Sequence, residues 1–143
     1  MKATVHSLKI GLVAIGAVLI WACQAAEATI IYVSAGQSIQ AAIEAATNGD
    51  EIVVAPGTYN EAINFLTRAV WLHSSGGPSV TTINGTGHYH VVQCILGEGP
   101  DTILEGFTIR GGNANGTTDP AKRGGGMYNA SSCLLYTSDA ADE

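Results

Sequence analysis

Beyond Asp50 the chain never settles into a helical period. Short runs rich in β-branched and aromatic residues follow one another, separated by Gly, Asn, Ser or Pro. They are Ile52–Val54, Ala62–Phe65, Ala69–Leu72, Thr82–Ile83, Val91–Leu96, Ile103–Ile109 and Gly126–Tyr128. Runs of this kind bounded by turn formers read as strands. Several have apolar residues at neighbouring positions, as strands of parallel sheets do when both faces are covered. Val70 to Val91 spans 21 residues and Leu104 to Met127 spans 23, inside the range of roughly 20–50 that marks repeat architectures. No helix lies between these strands to make a crossover. Parallel pairing would then come from the chain winding on itself, each turn about 4.8 Å above the last. An antiparallel sandwich is the competing all-β arrangement.

One helix is expected, near the start. Ile39, Ala42, Ile43 and Ala46 recur at i, i+3, i+4 and i+7, one apolar face. Ser38 is placed to cap its first turn, and Gly49 to end it. Thr29–Val33 before it reads as a strand.

Both ends of the chain differ from the middle. Lys2 and Lys9 precede the uncharged run Ile10–Trp21, and Ala26-Glu27-Ala28 follows. The run is shorter than the ~20 residues a bilayer span needs and suits a signal peptide, residues 1–28, cleaved after Ala28. Lipoprotein processing at Cys23 and an uncleaved anchor are the alternatives. At the other end, residues 133–143 read CLLYTSDAADE. All of them resemble the translation of a transposase-type sequencing adapter, so they are set outside the fold as a non-native tail. Between Thr29 and Ser132 eight carboxylates stand against four cations. No basic patch is present for nucleic acid. Once the signal segment leaves, no membrane span is expected. Cys94 is the only cysteine of that stretch, so no internal disulfide forms there.

Three groups of residues carry a family resemblance. They are Ser38-Ile39-Gln40-Ala41-Ala42-Ile43; Asn48-Gly49-Asp50 with Val54-Ala55-Pro56-Gly57-Thr58-Tyr59; and the later Ile83-Asn84-Gly85, Leu104–Ile109 and Gly124–Tyr128. In this order they resemble the opening of secreted β-helix repeat proteins of the pectate-lyase-like superfamily. The resemblance implies an all-β, right-handed parallel β-helix, a solenoid with a short N-terminal capping α-helix, truncated after its first coils. Residues 29–132 would be that cap and those coils. Stacked coils leave their ends bare, which is why solenoids carry caps. One fold of this kind hosts many functions. The expected function is therefore coarse: the N-terminal part of an exported or cell-surface protein that binds carbohydrate or plays a structural role. The alternative is a polysaccharide lyase or glycoside hydrolase whose active site lies in further coils.

The candidate residues follow from exposure and chemistry. No catalytic set is identified. Trp71, Tyr89, Glu105 and Arg110 are candidates for carbohydrate binding, the aromatics by stacking on sugar rings. Glu105 and Arg110 are expected to flank one strand on a solvent face, with no carboxylate partner at matching spacing. In the loop Gly111–Gly125, Asn113, Asn115 and Asp119 could offer oxygen atoms to Ca²⁺; a solvated loop is the plainer expectation, and no cofactor is assigned. His88-Tyr89-His90 reads as a surface turn rather than a metal pair. The partner these residues imply is a polysaccharide or other cell-surface component.

Overall fold

The computed structural model describes residues 27–119, 121–130 and 134–137. The expected signal run and Cys23 lie outside the described residues, as does most of the adapter-like tail. Among the described residues no helix is long and apolar enough to cross a membrane.

The elements are β1 (Ile30–Val33), α1 (Ile39–Ala45), β2 (Glu51–Val54), β3 (Gly57–Tyr59), β4 (Ile63–Asn64) and β5 (Trp71–Ser74). β6 (Thr81–Asn84), β7 (Val92–Cys94), β8 (Thr102–Glu105), β9 (Thr108–Arg110), β10 (Met127–Asn129) and β11 (Leu134–Thr137) follow. They form three sheets, with orders β1-β2-β5-β8-β11, β3-β6-β9 and β4-β7-β10. Every pairing among the described residues is parallel, which excludes the antiparallel sandwich. From β2 onward the chain visits the three sheets in rotation. A parallel pair needs a long crossover, usually helical; here each crossover is two strands belonging to the other sheets.

The rotation brings like residues into line. Ile52 pairs with Leu72, and Leu72 with Leu104. Tyr59 pairs with Ile83 and Ile83 with Ile109, while Ile63 pairs with Val92 and Val92 with Met127. These columns point inward with Phe65, Val70, Val91 and Phe107 and form the core. Burying a side chain of this size contributes roughly 1.5–3 kcal/mol. Strand alternation leaves Glu51 and Val53, Trp71 and His73, and Ile103 and Glu105 on the opposite face of the five-stranded sheet.

The pairings correct the expected spacing. The first circuits keep close to the expected spacing, Ile30 opposite Glu51 and Glu51 opposite Trp71. Later, Trp71 stands opposite Ile103 and Val92 opposite Met127, so the repeat is uneven, because loops of different length intervene. The run Ile103–Ile109 is also not one strand. Gly106 takes φ +74 beside Ser74 and Gly77, a left-handed corner that glycine adopts freely. It sends β8 into one sheet and β9 into another.

Helix α1 buries Ile39, Ala42 and Ile43 and packs against β1, β2 and β4. Ser38 is its N-cap, accepting from Ala41 N at 3.1 Å. A carboxylate from beyond β3 completes the cap. Glu61 Oε1 accepts from Ile39 N at 2.7 Å, and its Oε2 from Gln40 N at 3.2 Å and Ser38 Oγ at 2.8 Å. The helix ends at Ala46, whose backbone is extended, not at Gly49. Thr47 N is captured by Asp50 Oδ2 at 2.7 Å, which turns the chain before Gly49 is reached.

The tail residues Leu134–Thr137 add to the edge of the five-stranded sheet, Leu135 opposite Ile103 and Tyr136 opposite Leu104. Tyr136 Oη donates to Phe107 O at 3.1 Å. An apolar extended segment satisfies an open parallel edge whatever its origin.

Candidate functional site on the outer face of the five-stranded sheet

The outer face of the five-stranded sheet gathers a small polar and aromatic cluster. Trp71 on β5 is 40 % exposed. Its ring stacks on His73, two residues along the same strand, with centroids 4.4 Å apart and planes 27° from parallel. Trp71 Nε1 donates to Glu105 Oε2 on β8 at 2.9 Å. His73 Nε2 lies 2.7 Å from Glu51 Oε1 on β2. Three neighbouring strands thus present two carboxylates, an imidazole and an indole in one patch. On the edge strand β1 the same face carries Tyr32, 70 % exposed, and Ile30, 52 % exposed.

Each side chain is placed by the period of two along its strand and by the register between strands. Ile52 and Val54, Leu72, and Leu104 are fully buried, which fixes Glu51, Trp71, His73 and Glu105 on the other side. The hydrogen bonds hold the indole edge and the imidazole in fixed directions. The patch can therefore offer a rigid aromatic surface with acceptors at its rim, the pairing that sugar hydroxyls and C–H faces require.

The sequence-expected residues do not all meet. Trp71 and Glu105 are brought together by a hydrogen bond. Glu51 stands on the same face but two strands away on β2, linked to His73, while Glu105 is linked to Trp71. Arg110 ends β9 in a different sheet, so it does not flank one strand with Glu105; the Gly106 corner separates them. Tyr89 is half exposed and lines a cleft of about 330 Å³ with His88, His90, Gln93 and Ala121. His88 is exposed but His90 turns inward. His90 Nδ1 lies 3.1 Å from Gly124 O, and its ring stacks on Tyr128 at 4.6 Å. The two histidines thus border one cleft but differ in burial.

In the long loop, Asp119 meets Arg123 through both carboxylate oxygens at 3.0 Å, while Asn113 and Asn115 are exposed. The one carboxylate offered to Ca²⁺ is neutralised by an arginine. Among the described residues no group of three His, Cys, Asp or Glu side chains gathers as a metal site.

Asp50 and Cys94 have strongly shifted acidities. Asp50, 3 % exposed, accepts from Thr29 N at 2.8 Å and from Thr47 N and Oγ1 at 2.7 and 3.0 Å. These backbone donors hold its carboxyl down at about 2. Burial, aided by the charge of Glu98, pushes the Cys94 thiol up to about 12, so Cys94 behaves as a small core residue rather than a nucleophile.

Glu51, His73 and Tyr32 are the residues that sequence reasoning missed. Alternation in Glu51–Val54 and Trp71–Ser74 marks them as outward, but only register shows which outward side chains meet. No family model, no curated protein and no solved structure matches the chain.

Proposed function

We propose that the chain is the amino-terminal part of an exported right-handed parallel β-helix protein that binds carbohydrate at the cell surface through the Trp71 face. The rotation of the chain through three parallel sheets supports the solenoid, since each circuit stacks its strands on those of the one before. The helix over the first circuit, held by Glu61, supports the role of a cap. The basic and apolar leader with Ala26-Glu27-Ala28 supports export, with cleavage after Ala28.

The observation that carries the binding role is Trp71, partly exposed and fixed between His73 and Glu105. A surface indole costs solvent exposure of apolar area, and here two side chains hold it in place. The test is retention of the protein on a panel of soluble and insoluble polysaccharides, neutral and acidic. Binding to at least one is expected, with Trp71→Ala weakening it about tenfold or more, equivalent to roughly 1.4 kcal/mol. Unchanged retention of Trp71→Ala, with its circular dichroism preserved, would refute the role.

A catalytic reading is favoured by one observation, the two carboxylates Glu51 and Glu105 either side of the Trp71–His73 stack. Glycoside hydrolysis uses two carboxylates, and Glu51 and Glu105 stand on the same face two strands apart. Release of reducing ends or unsaturated products from the bound polysaccharide, abolished by Glu105→Gln, would replace binding by turnover.

A further inference from the structure

We propose that cleavage after Ala28 creates an ion pair, the new α-ammonium of Thr29 with the carboxylate of Asp50, and that removal of the leader thereby strengthens the first sheet. The inference rests on the export reading for the identity of Thr29 as the mature start. Thr29 N already stands 2.8 Å from Asp50 Oδ1. The carbonyl of Thr29 accepts from Glu51 N at 2.9 Å. Residue 29 is thus tied at both its backbone ends to the turn that leads into β2, one residue before β1 begins.

The bond to be cut lies in open chain. Glu27, Ala28 and Thr29 are exposed and belong to no helix or strand. Hydrolysis adds water across the Ala28–Thr29 peptide bond. The hydroxyl goes to the Ala28 carbonyl carbon and a proton to the Thr29 nitrogen, which takes a second proton from solvent. An α-amino group ordinarily holds that proton up to pH about 7.7–8.0. The donor to Asp50 changes from a neutral amide into a cation without moving, and such charge-assisted bonds are roughly twice as strong as neutral ones. The same cut removes Glu27, a like charge two residues along the chain from the contact. The second oxygen of Asp50 is occupied by Thr47, so the carboxylate is aimed before the terminus is freed.

The test compares chains released from a cleavable fusion with defined starts, one at Thr29 and one at Glu27, both ending at residue 143. The Thr29 form is expected to melt several degrees higher. Selective acetylation of its α-amine should remove the gain, and the gain should be absent when both starts carry Asp50→Asn. Equal melting of the two starts with Asp50 intact, or a gain that survives acetylation, would overturn the proposal. If Asp50→Asn does not fold, the acetylated form decides alone. The mass of the exported protein separately tests whether cleavage falls after Ala28. A different start would sink that part of the export reading and leave the melting comparison to judge the ion pair.

Discussion

The indole N–H of Trp71 reaches diagonally across the sheet to Glu105. Trp71 is paired in register with Ile103, yet its Nε1 donates to Glu105 Oε2 at 2.9 Å. A neutral donor and an ionised acceptor make a bond that contributes roughly 1.5–3 kcal/mol when well shielded. With Trp71 40 % exposed, about 0.5–1 kcal/mol is expected after solvent screening. A double-mutant cycle of Trp71→Phe and Glu105→Ala, read by urea unfolding, should give a coupling of that size. Strict additivity would show that the pair does not act together.

Glu61 should matter more to stability than its surface position implies. It satisfies two backbone N–H groups of the first turn of α1 and the Ser38 hydroxyl. Lost capping costs roughly 0.5–2 kcal/mol, so Glu61→Ala is expected near the upper end. Glu61→Gln keeps an acceptor and should lose less. Equal midpoints for wild type and Glu61→Ala in urea would contradict the cap.

Acid should weaken the fold through Asp50. Its folded acidity lies at about 2 against an ordinary 3.8. A carboxyl depressed in the folded state stabilises fully above the unfolded value. That contribution is lost as pH falls from about 3.8 through about 2, because the unfolded chain takes up the proton first. The melting temperature of Asp50→Asn should therefore vary less across this window than that of wild type. Parallel curves for the two proteins between pH 4 and pH 2 would contradict the assignment.

Leu66 and Thr67 both adopt positive φ, at 52° and 65°. For a β-branched residue this conformation is strained. The turn is held by Asn64 Oδ1, which accepts from Leu66 N, and by Glu98 Oε1, which accepts from Thr67 N. Thr67→Gly should relieve the strain and raise stability by roughly 1 kcal/mol, despite the entropy glycine brings to the unfolded chain. A destabilised Thr67→Gly would show the turn to be unstrained.

The parts of this fold legible in the sequence are the local ones. The face Ile39/Ala42/Ile43/Ala46 and Ser38 mark α1, because a helix's period and its cap lie within a few residues. The β-branched runs mark strands for the same reason. The partners of those strands are set by loops, and loops carry no period: the segments before β8 and before β10 lengthen the repeat, so Trp71 meets Ile103 rather than a residue near Val91. The same limit applies to the site. Trp71 and Glu105 could each be named from exposure and chemistry, whereas Glu51 and His73 join them only through register. Glu61, which caps a helix from more than twenty residues along the chain, left no signal in the local pattern.

The central claim is that Trp71 contacts carbohydrate. A chain starting at Thr29 carries one indole, that of Trp71, and its N–H gives one resolvable NMR signal. The decisive measurement is that signal, titrated with an oligosaccharide cut from whichever polysaccharide the protein retains. A saturable shift of the Trp71 indole is predicted, accompanied by shifts of the Tyr32, Glu51 and His73 amides. Retention of the polysaccharide with the Trp71 indole signal unmoved would contradict the account.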